Sequence, residues 1–198
     1  MLDLSNARVL IFGGGKVGVR KASFFAGEAK VLVVSQKFAK EFDLLGVARI
    51  EAEAGDALDL IDSADIVIAA TNDADLNKRI TERAERLSKL YNSTDCGGNF
   101  MIPSVVKKEN YLIAISTMGS SPAMAKYMRL KLDSELDEAY SAMVKLQQEL
   151  RTSARKSLKK QREREAFLWQ ILNDQDVWNA LKQDYSKARE LALKKMGV

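Results

Sequence analysis

The sequence predicts an α/β protein in which a parallel sheet is followed by a small antiparallel hairpin and a helical C-terminal region. Three observations carry that reading. Short, continuously apolar runs alternate with helix-compatible stretches over residues 9–95, and runs without polar alternation describe strands covered on both faces, as in a parallel sheet. A polar turn then joins two apolar runs that no crossover helix separates. Beyond Ser121 the chain is rich in Ala, Leu, Lys, Glu and Gln with Pro122 its last proline, which is the composition of helices.

In chain order, residues 9–12 form the first strand and residues 16–26 a helix with Val17, Ala22, Phe25 and Ala26 at helical spacing. Residues 30–35 are a second strand, 49–53 a weaker third, and 65–71 a strong fourth, with helix-compatible stretches between them. Residues 75–89 read as helix and 90–95 as the last parallel strand, ending in Asp95. Residues 102–106 and 111–116 pair about the turn Lys107-Lys-Glu-Asn110. Three parts result: 1–101, 102–132 and 133–198.

Composition narrows the function. At 198 residues, 46% hydrophobic and 29% charged, the chain can bury a core and is not disordered. No apolar run reaches the about 18 residues that span a bilayer, and the start has no secretory character, so a cytoplasmic location without membrane association is expected. One cysteine and no histidine exclude an internal disulfide and the ordinary zinc and haem ligand sets, and no metal site is expected. A net charge of +4 suits a polyanionic small molecule as well as nucleic acid.

Gly13, Gly15 and Gly18 give G-x-G-x-x-G between a strand and a helix. The first glycine permits the tight turn, the second a close pyrophosphate, the third close helix–strand packing. Gly14, Lys16 and Val17 complete this candidate dinucleotide loop, and the sheet is Rossmann-like. A phosphate-binding P-loop needs Lys-Ser or Lys-Thr after Gly18, where Val19-Arg20 stands. The alternative is a glycine turn that binds nothing. Where NAD sites usually carry an acid, the second strand ends Ser35-Gln36-Lys37. Ser35 can bond a ribose and Lys37 could meet the extra phosphate of NADP, so the residues leave the cofactor open between NAD and NADP.

Asp95, at the carboxyl edge of the sheet, is either a general base or a turn former. Cys96 reads as a small buried residue, since no histidine can activate it. Thr71 and Asn72 follow the fourth strand, where they line the cofactor cleft as their segment caps the next helix. In residues 116–122, Ser121 is a good N-cap and Pro122 suits the first helical position; the free N–H groups there make either a second anion site or a plain cap. Tyr127 and Lys131 match Y-x-x-x-K, but lie beyond the hairpin rather than within the sheet, and the match is set aside. The basic run 151–164 reads as a solvated helix face, and Phe167 and Trp169 fit a core face better than a base-stacking one, so nucleic acid is not an expected partner.

With these residues in place, the chain resembles the siroheme synthase amino-terminal-domain family of precorrin-2 dehydrogenases, some of which are also sirohydrochlorin ferrochelatases. The matching stretches are residues 2–6 (LDLSN), 8–22 (RVLIFGGGKVGVRKA), 67–77 (VIAATNDADLN), 92–95 (NSTD), 100–104 (FMIPS) and 113–125 (IAISTMGSSPAMA). The resemblance implies a homodimer paired largely through the hairpin region, and NAD-dependent oxidation of precorrin-2 to sirohydrochlorin, with Asp95 as the general base. It places the substrate at Ser116, Thr117, Ser120, Ser121 and Lys126, with Lys107, Lys108 and Arg129 as further candidates for its carboxylates. The chain departs from the family in having Cys96-Gly97-Gly98 in place of a longer acidic and apolar stretch, and in its tail from residue 133. The rival from another class is a regulatory module that senses NAD without turning it over.

Overall fold

In the computed structural model, which describes residues 3–196, β1 (Arg8–Phe12) is the central strand of a five-stranded sheet. The others are β2 (Lys30–Ser35), β3 (Ala48–Glu51), β4 (Ile66–Ala69) and β5 (Leu90–Ser93). All pairings are parallel, in the order β3-β2-β1-β4-β5, and Ile11 of β1 lies between Val33 and Ile68. Residues 1 and 2, including Leu2 of the LDLSN stretch, and residues 197 and 198 lie outside the described chain.

The alternation of β1 builds two cores, as continuous apolar strands require. Val9 and Ile11 pack with Ala22 and Phe25 of α1 (Lys16–Phe25) and with Ile66 and Ile68. Leu10 and Phe12 pack on the other face with Val67 and with Ile80 and Ala84 of α2 (Ala74–Arg86). The edge strand β3 differs from this expectation, since all four of its residues are exposed. The crossovers on either side of it also differ: residues Lys40–Leu44 and Ala54–Ser63 form 3₁₀ helix, the second kinked at Ala57. Gly46 at φ +62 breaks the first crossover and the kink at Ala57 divides the second, leaving short pieces of the kind in which the tighter i to i+3 turn occurs. β5 ends at Ser93, but the Thr94 N–H still donates to Ala69 O at 3.1 Å, so Asp95 stands just beyond the last ladder bond.

The chain divides into two compact units between Ile102 and Pro103. In the second, β6 (Ser104–Lys107) and β7 (Leu112–Ile115) pair antiparallel, with Val105 opposite Ala114. Val106 and Ile115 pack on Ala125 of α3 (Pro122–Glu135). Then come α4 (Glu138–Ser157), α5 (Gln161–Leu172), α6 (Gln175–Leu181) and α7 (Tyr185–Lys194). Met143, Leu146 and Leu150 of α4 meet Phe167, Ile171, Val177, Ala188 and Ala192 in one core.

Trp169 is not part of that face. Phe167 and Ile171, one turn apart, are buried, whereas Trp169 between them is 60% exposed, because two residues of helix rotate a side chain to nearly the opposite side. Among the described residues no helix is long and apolar enough to cross a membrane.

Side-chain caps fix the helical boundaries. Asp137, Asp174 and Asp184 each accept from main-chain N–H groups of the helix they precede, which satisfies donors that the helix itself cannot. Asp174 also meets Lys195 Nζ at 2.5 Å. The Lys195 ammonium holds the Asp174 carboxyl below its ordinary 3.8, with burial opposing and the Val177 N–H assisting. A depressed carboxyl stabilises the fold above its unfolded value and loses that contribution as pH falls through the native one. Asp174→Ala should therefore lower the stability of the helical unit by about 1–2 kcal/mol at neutral pH, and the gap to the parent should narrow towards about pH 3. Urea denaturation at the two pH values measures both.

Candidate functional site

The strand order reverses direction at β1 and β4, and the crevice outside their carboxyl ends is where open α/β sheets hold ligands. The glycines follow β1 directly into it. Gly13 has φ +122, and a Cβ there would strike Ala70 O. A Cβ on Gly14 would strike Lys37 O, and one on Gly18 would strike Gly13 O. A Cβ on Gly15, by contrast, meets nothing within 4 Å. Three glycines thus let main chain meet main chain, and Gly15 alone faces open space, as approach of a pyrophosphate requires.

Gly15 is also the N-cap of α1. No side chain caps that helix and no acid stands in its first turn, so the partial positive charge of its N-terminus is not offset. Lys16 and Val17 open the helix and are exposed. Ser35, half-buried at the end of β2, abuts Gly14, since a Cβ there would come within 2.9 Å of Ser35 Oγ. Lys37 is exposed. These features fit a nicotinamide dinucleotide: a glycine floor, free helix N–H groups and polar side chains at the ends of neighbouring strands.

Thr71 and Asp95 come together through Asn77, a side chain for which the sequence reading had no role. Asn77 is 0% exposed. Its Oδ1 accepts from Thr71 N at 3.1 Å and Thr71 Oγ1 at 2.8 Å, and its Nδ2 donates to Thr71 O at 3.0 Å and to Asp95 Oδ2 at 2.6 Å. The available signal was an amide on the apolar face of α2, in helical phase with Ile80, Thr81 and Ala84. Asp95 itself is exposed, and its Oδ2 also accepts from Thr94 Oγ1 at 3.2 Å. Its N–H and that of Cys96 donate to Ser93 Oγ at 3.2 and 3.3 Å, the turn chemistry expected of such a segment. Asn72 is exposed beside Asp73, which caps α2 by accepting from Leu76 N.

Cys96 corrects the sequence expectation: the thiol is exposed. It stands in a bend closed by Gly97 at φ +73 and by the bridge from Gly98 back to Asn92, which carries the main chain past the sheet edge rather than under it. On the α1 side, Lys21 Nζ donates to Asn92 Oδ1 at 2.6 Å, and Asn92 Nδ2 donates to Phe100 O at 3.1 Å. Burial, with Arg20 adding to it, pushes the Lys21 ammonium below its ordinary range.

The remaining candidates lie in the second unit. Ser121 caps α3 by accepting from Met124 N at 3.2 Å, and Thr117 Oγ1 accepts from Ser121 N at 3.1 Å and donates to Ser121 O at 3.0 Å. Ser116 Oγ accepts from Met118 N at 3.1 Å. Ser120 N donates to Thr117 O at 2.9 Å. The loop is therefore held by its own hydroxyls, with Met118 and Gly119 at positive φ. Lys126 is exposed on α3. Lys108 is committed to Asp133 at 2.8 Å, which holds its ammonium above the ordinary range. Tyr127, of the discarded Y-x-x-x-K pair, is an exposed residue of α3. Among the described residues no group of three or more His, Cys, Asp or Glu is arranged to hold a metal ion.

This geometry defines a dinucleotide-binding α/β protein, and residues 1–104 match the family described as putative NAD(P)-binding. The chain is 40% identical to a precorrin-2 dehydrogenase from Methanosarcina barkeri over 97% of its own length and 90% of that protein's. It is 32% identical to a siroheme synthase from Actinobacillus succinogenes over 96% of this chain, which spans 41% of that longer protein. It belongs to the siroheme synthase N-terminal family. The solved structure of SirC, a precorrin-2 dehydrogenase, shares the fold with a TM-score of 0.77, at 24% identity, over 100% of this chain and 98% of that one.

Two glycine substitutions should separate site from scaffold. Gly15→Asp has room for its side chain and should leave the thermal transition unchanged, yet abolish NAD⁺ binding by calorimetry, since a carboxylate repels the pyrophosphate. Gly13→Ala should instead lose on the order of 3 kcal/mol of stability from strain and clash, read by chemical denaturation.

Proposed function

We propose that this chain is an NAD⁺-dependent dehydrogenase that oxidises precorrin-2 to sirohydrochlorin. The observation that carries the reading is the Asp95 carboxylate at the carboxyl edge of the sheet, oriented by Asn77 and Thr94, beside a glycine loop open to a dinucleotide. Bound NAD⁺ supplies the acceptor for the hydride, which carries two electrons and one proton from the macrocycle. A second proton must leave with it, and among the described residues both hydrogen bonds accepted by the Asp95 carboxylate fall on Oδ2, so Oδ1 is the oxygen left to receive that proton. Gly15 and the N-terminus of α1 hold the pyrophosphate, Ser35 the ribose, and Thr71 and Asn72 the nicotinamide side. The end of β2 at Ser35 rather than an acid weighs against an NAD-sensing module, and the family resemblance supports NAD⁺ over the NADP⁺ that Lys37 could meet.

The substrate is a polycarboxylate. Exposed Lys126 and the hydroxyls of Ser116, Ser120 and Ser121 supply the complementary donors in the second unit, on a loop that Thr117 braces. Ferrochelatase activity would draw on the same carboxylate to take the pyrrole protons, with the macrocycle nitrogens holding the iron. A homodimer is the expected assembly: a two-stranded sheet is marginal alone, and Leu112, Met124, Tyr127 and Leu130 leave apolar surface on the hairpin and α3 exposed. A cytoplasmic location is the expected setting.

Asp95→Ala should lower the rate of precorrin-2 oxidation by about 10²- to 10⁴-fold while NAD⁺ affinity stays near the parent's. Asp95→Asn keeps size and hydrogen bonding but cannot take the proton, and should be nearly as inactive. Absorbance of sirohydrochlorin formation measures both; an active Asn variant would make Asp95 an anchor instead of a base. The same assay should show faster turnover with NAD⁺ than with NADP⁺, and the reverse preference would assign Lys37 to a 2′-phosphate.

A further inference from the structure

The bonds of Asn77 leave no choice of amide orientation. The Thr71 N–H is a donor and requires Oδ1, and the Thr71 carbonyl is an acceptor and requires Nδ2. One amide proton remains, and it points at Asp95 Oδ2 from 2.6 Å. Asn77 is 0% exposed, so water cannot stand in for it. The amide therefore clasps the main chain where β4 ends and spends its last donor on the acid beyond β5. Thr94 Oγ1 adds a donor to the same oxygen at 3.2 Å, but from an exposed side chain.

We propose that Asn77 is a positioning residue for Asp95: it fixes the carboxylate plane through Oδ2, keeps Oδ1 for the transferred proton, and ties both to the cofactor edge at Thr71. The inference rests on the role of Asp95 as base. Misplacing a reacting group by about 1 Å can cost on the order of 10²-fold in rate, and an exposed acid held only by Thr94 has that freedom.

Asn77→Asp tests it most directly. The isosteric carboxylate still accepts from the Thr71 N–H and hydroxyl through one oxygen, but its other oxygen meets Asp95 Oδ2 with no proton between them. At neutral pH and saturating NAD⁺, kcat for precorrin-2 oxidation should fall about 10- to 100-fold. Two carboxylates so close share one proton as pH falls, which restores a donor to Asp95, so the variant should regain rate towards about pH 5. The parent has no second carboxylate with which to share a proton and should show no such gain. A variant profile with the parent's shape, scaled or not, would overturn the positioning role, because a general loss of packing does not add a gain in rate at lower pH.

Asn77→Ser removes the donor without adding charge and carries the test if the aspartate variant does not fold. Its kcat should fall at every pH, and in an Asp95→Asn background it should cause no further loss, since the base it positions is gone. An unchanged kcat, or an equal further loss in that background, counts against the proposal. If Asp95→Asn alone keeps the parent's rate, the base assignment fails and the positioning role with it. If Asp95→Asn is inactive while both Asn77 variants behave like the parent, only the positioning role fails.

Discussion

The dinucleotide-binding half of the structure depends on the contact of Gly13 with Ala70 O and of Gly18 with Gly13 O. Main chain approaches main chain at both places, closer than any side chain permits. The first contact lets the chain turn out of β1 without filling the crevice between β1 and β4. The second draws α1 onto the sheet, so that its uncapped N-terminus opens on that crevice instead of being screened by a loop. A methyl group at either place would move the helix, and with it the only part of the motif, Gly15, that faces open space. The proposed phosphate site is thus a consequence of packing.

The second constraint is the satisfaction of a buried amide. Asn77 stands in an apolar helix face at a real desolvation cost, and it is tolerated because each of its polar atoms is partnered. Its partners are the end of one strand and the acid after the next. The requirement that a buried polar group be satisfied therefore sets the geometry of the proposed base. Thr71 and Asp95 are 24 residues apart in sequence, and each alone has an ordinary turn or capping explanation. Joined by one amide, they form one polar cluster, the wall of the proposed site.

The second unit is built differently. Its helices are held by aspartate caps and by a core of Met143, Leu146, Leu150, Phe167 and Ile171, and its candidate anion loop is braced by the Thr117 hydroxyl, which bonds the main-chain N–H and carbonyl of Ser121. Such a loop is preformed, which reduces the ordering cost of binding a carboxylate.

Much of this was legible in the sequence. Continuous apolar runs identify the parallel strands because burial on both faces leaves no room for alternation. Glycine spacing between a strand and a helix identifies the dinucleotide loop because only glycine permits those close approaches. Ser121-Pro122 marks the start of α3 because capping is a local interaction. What tertiary structure alone decided involves residues whose environment is set by distant chain. Cys96 is exposed because the bridge of Gly98 to Asn92 carries its bend past the sheet. Trp169 is outside the helical core because that core selects the Phe167–Ile171 face. Asn77 reads in sequence as one more polar residue of a helix, and only the packing of α2 against β4 and β5 brings its amide to Thr71 and Asp95. Local pattern determines which elements form, whereas long-range packing decides which polar groups meet, because hydrogen bonds between elements depend on distances that no spacing along the chain encodes.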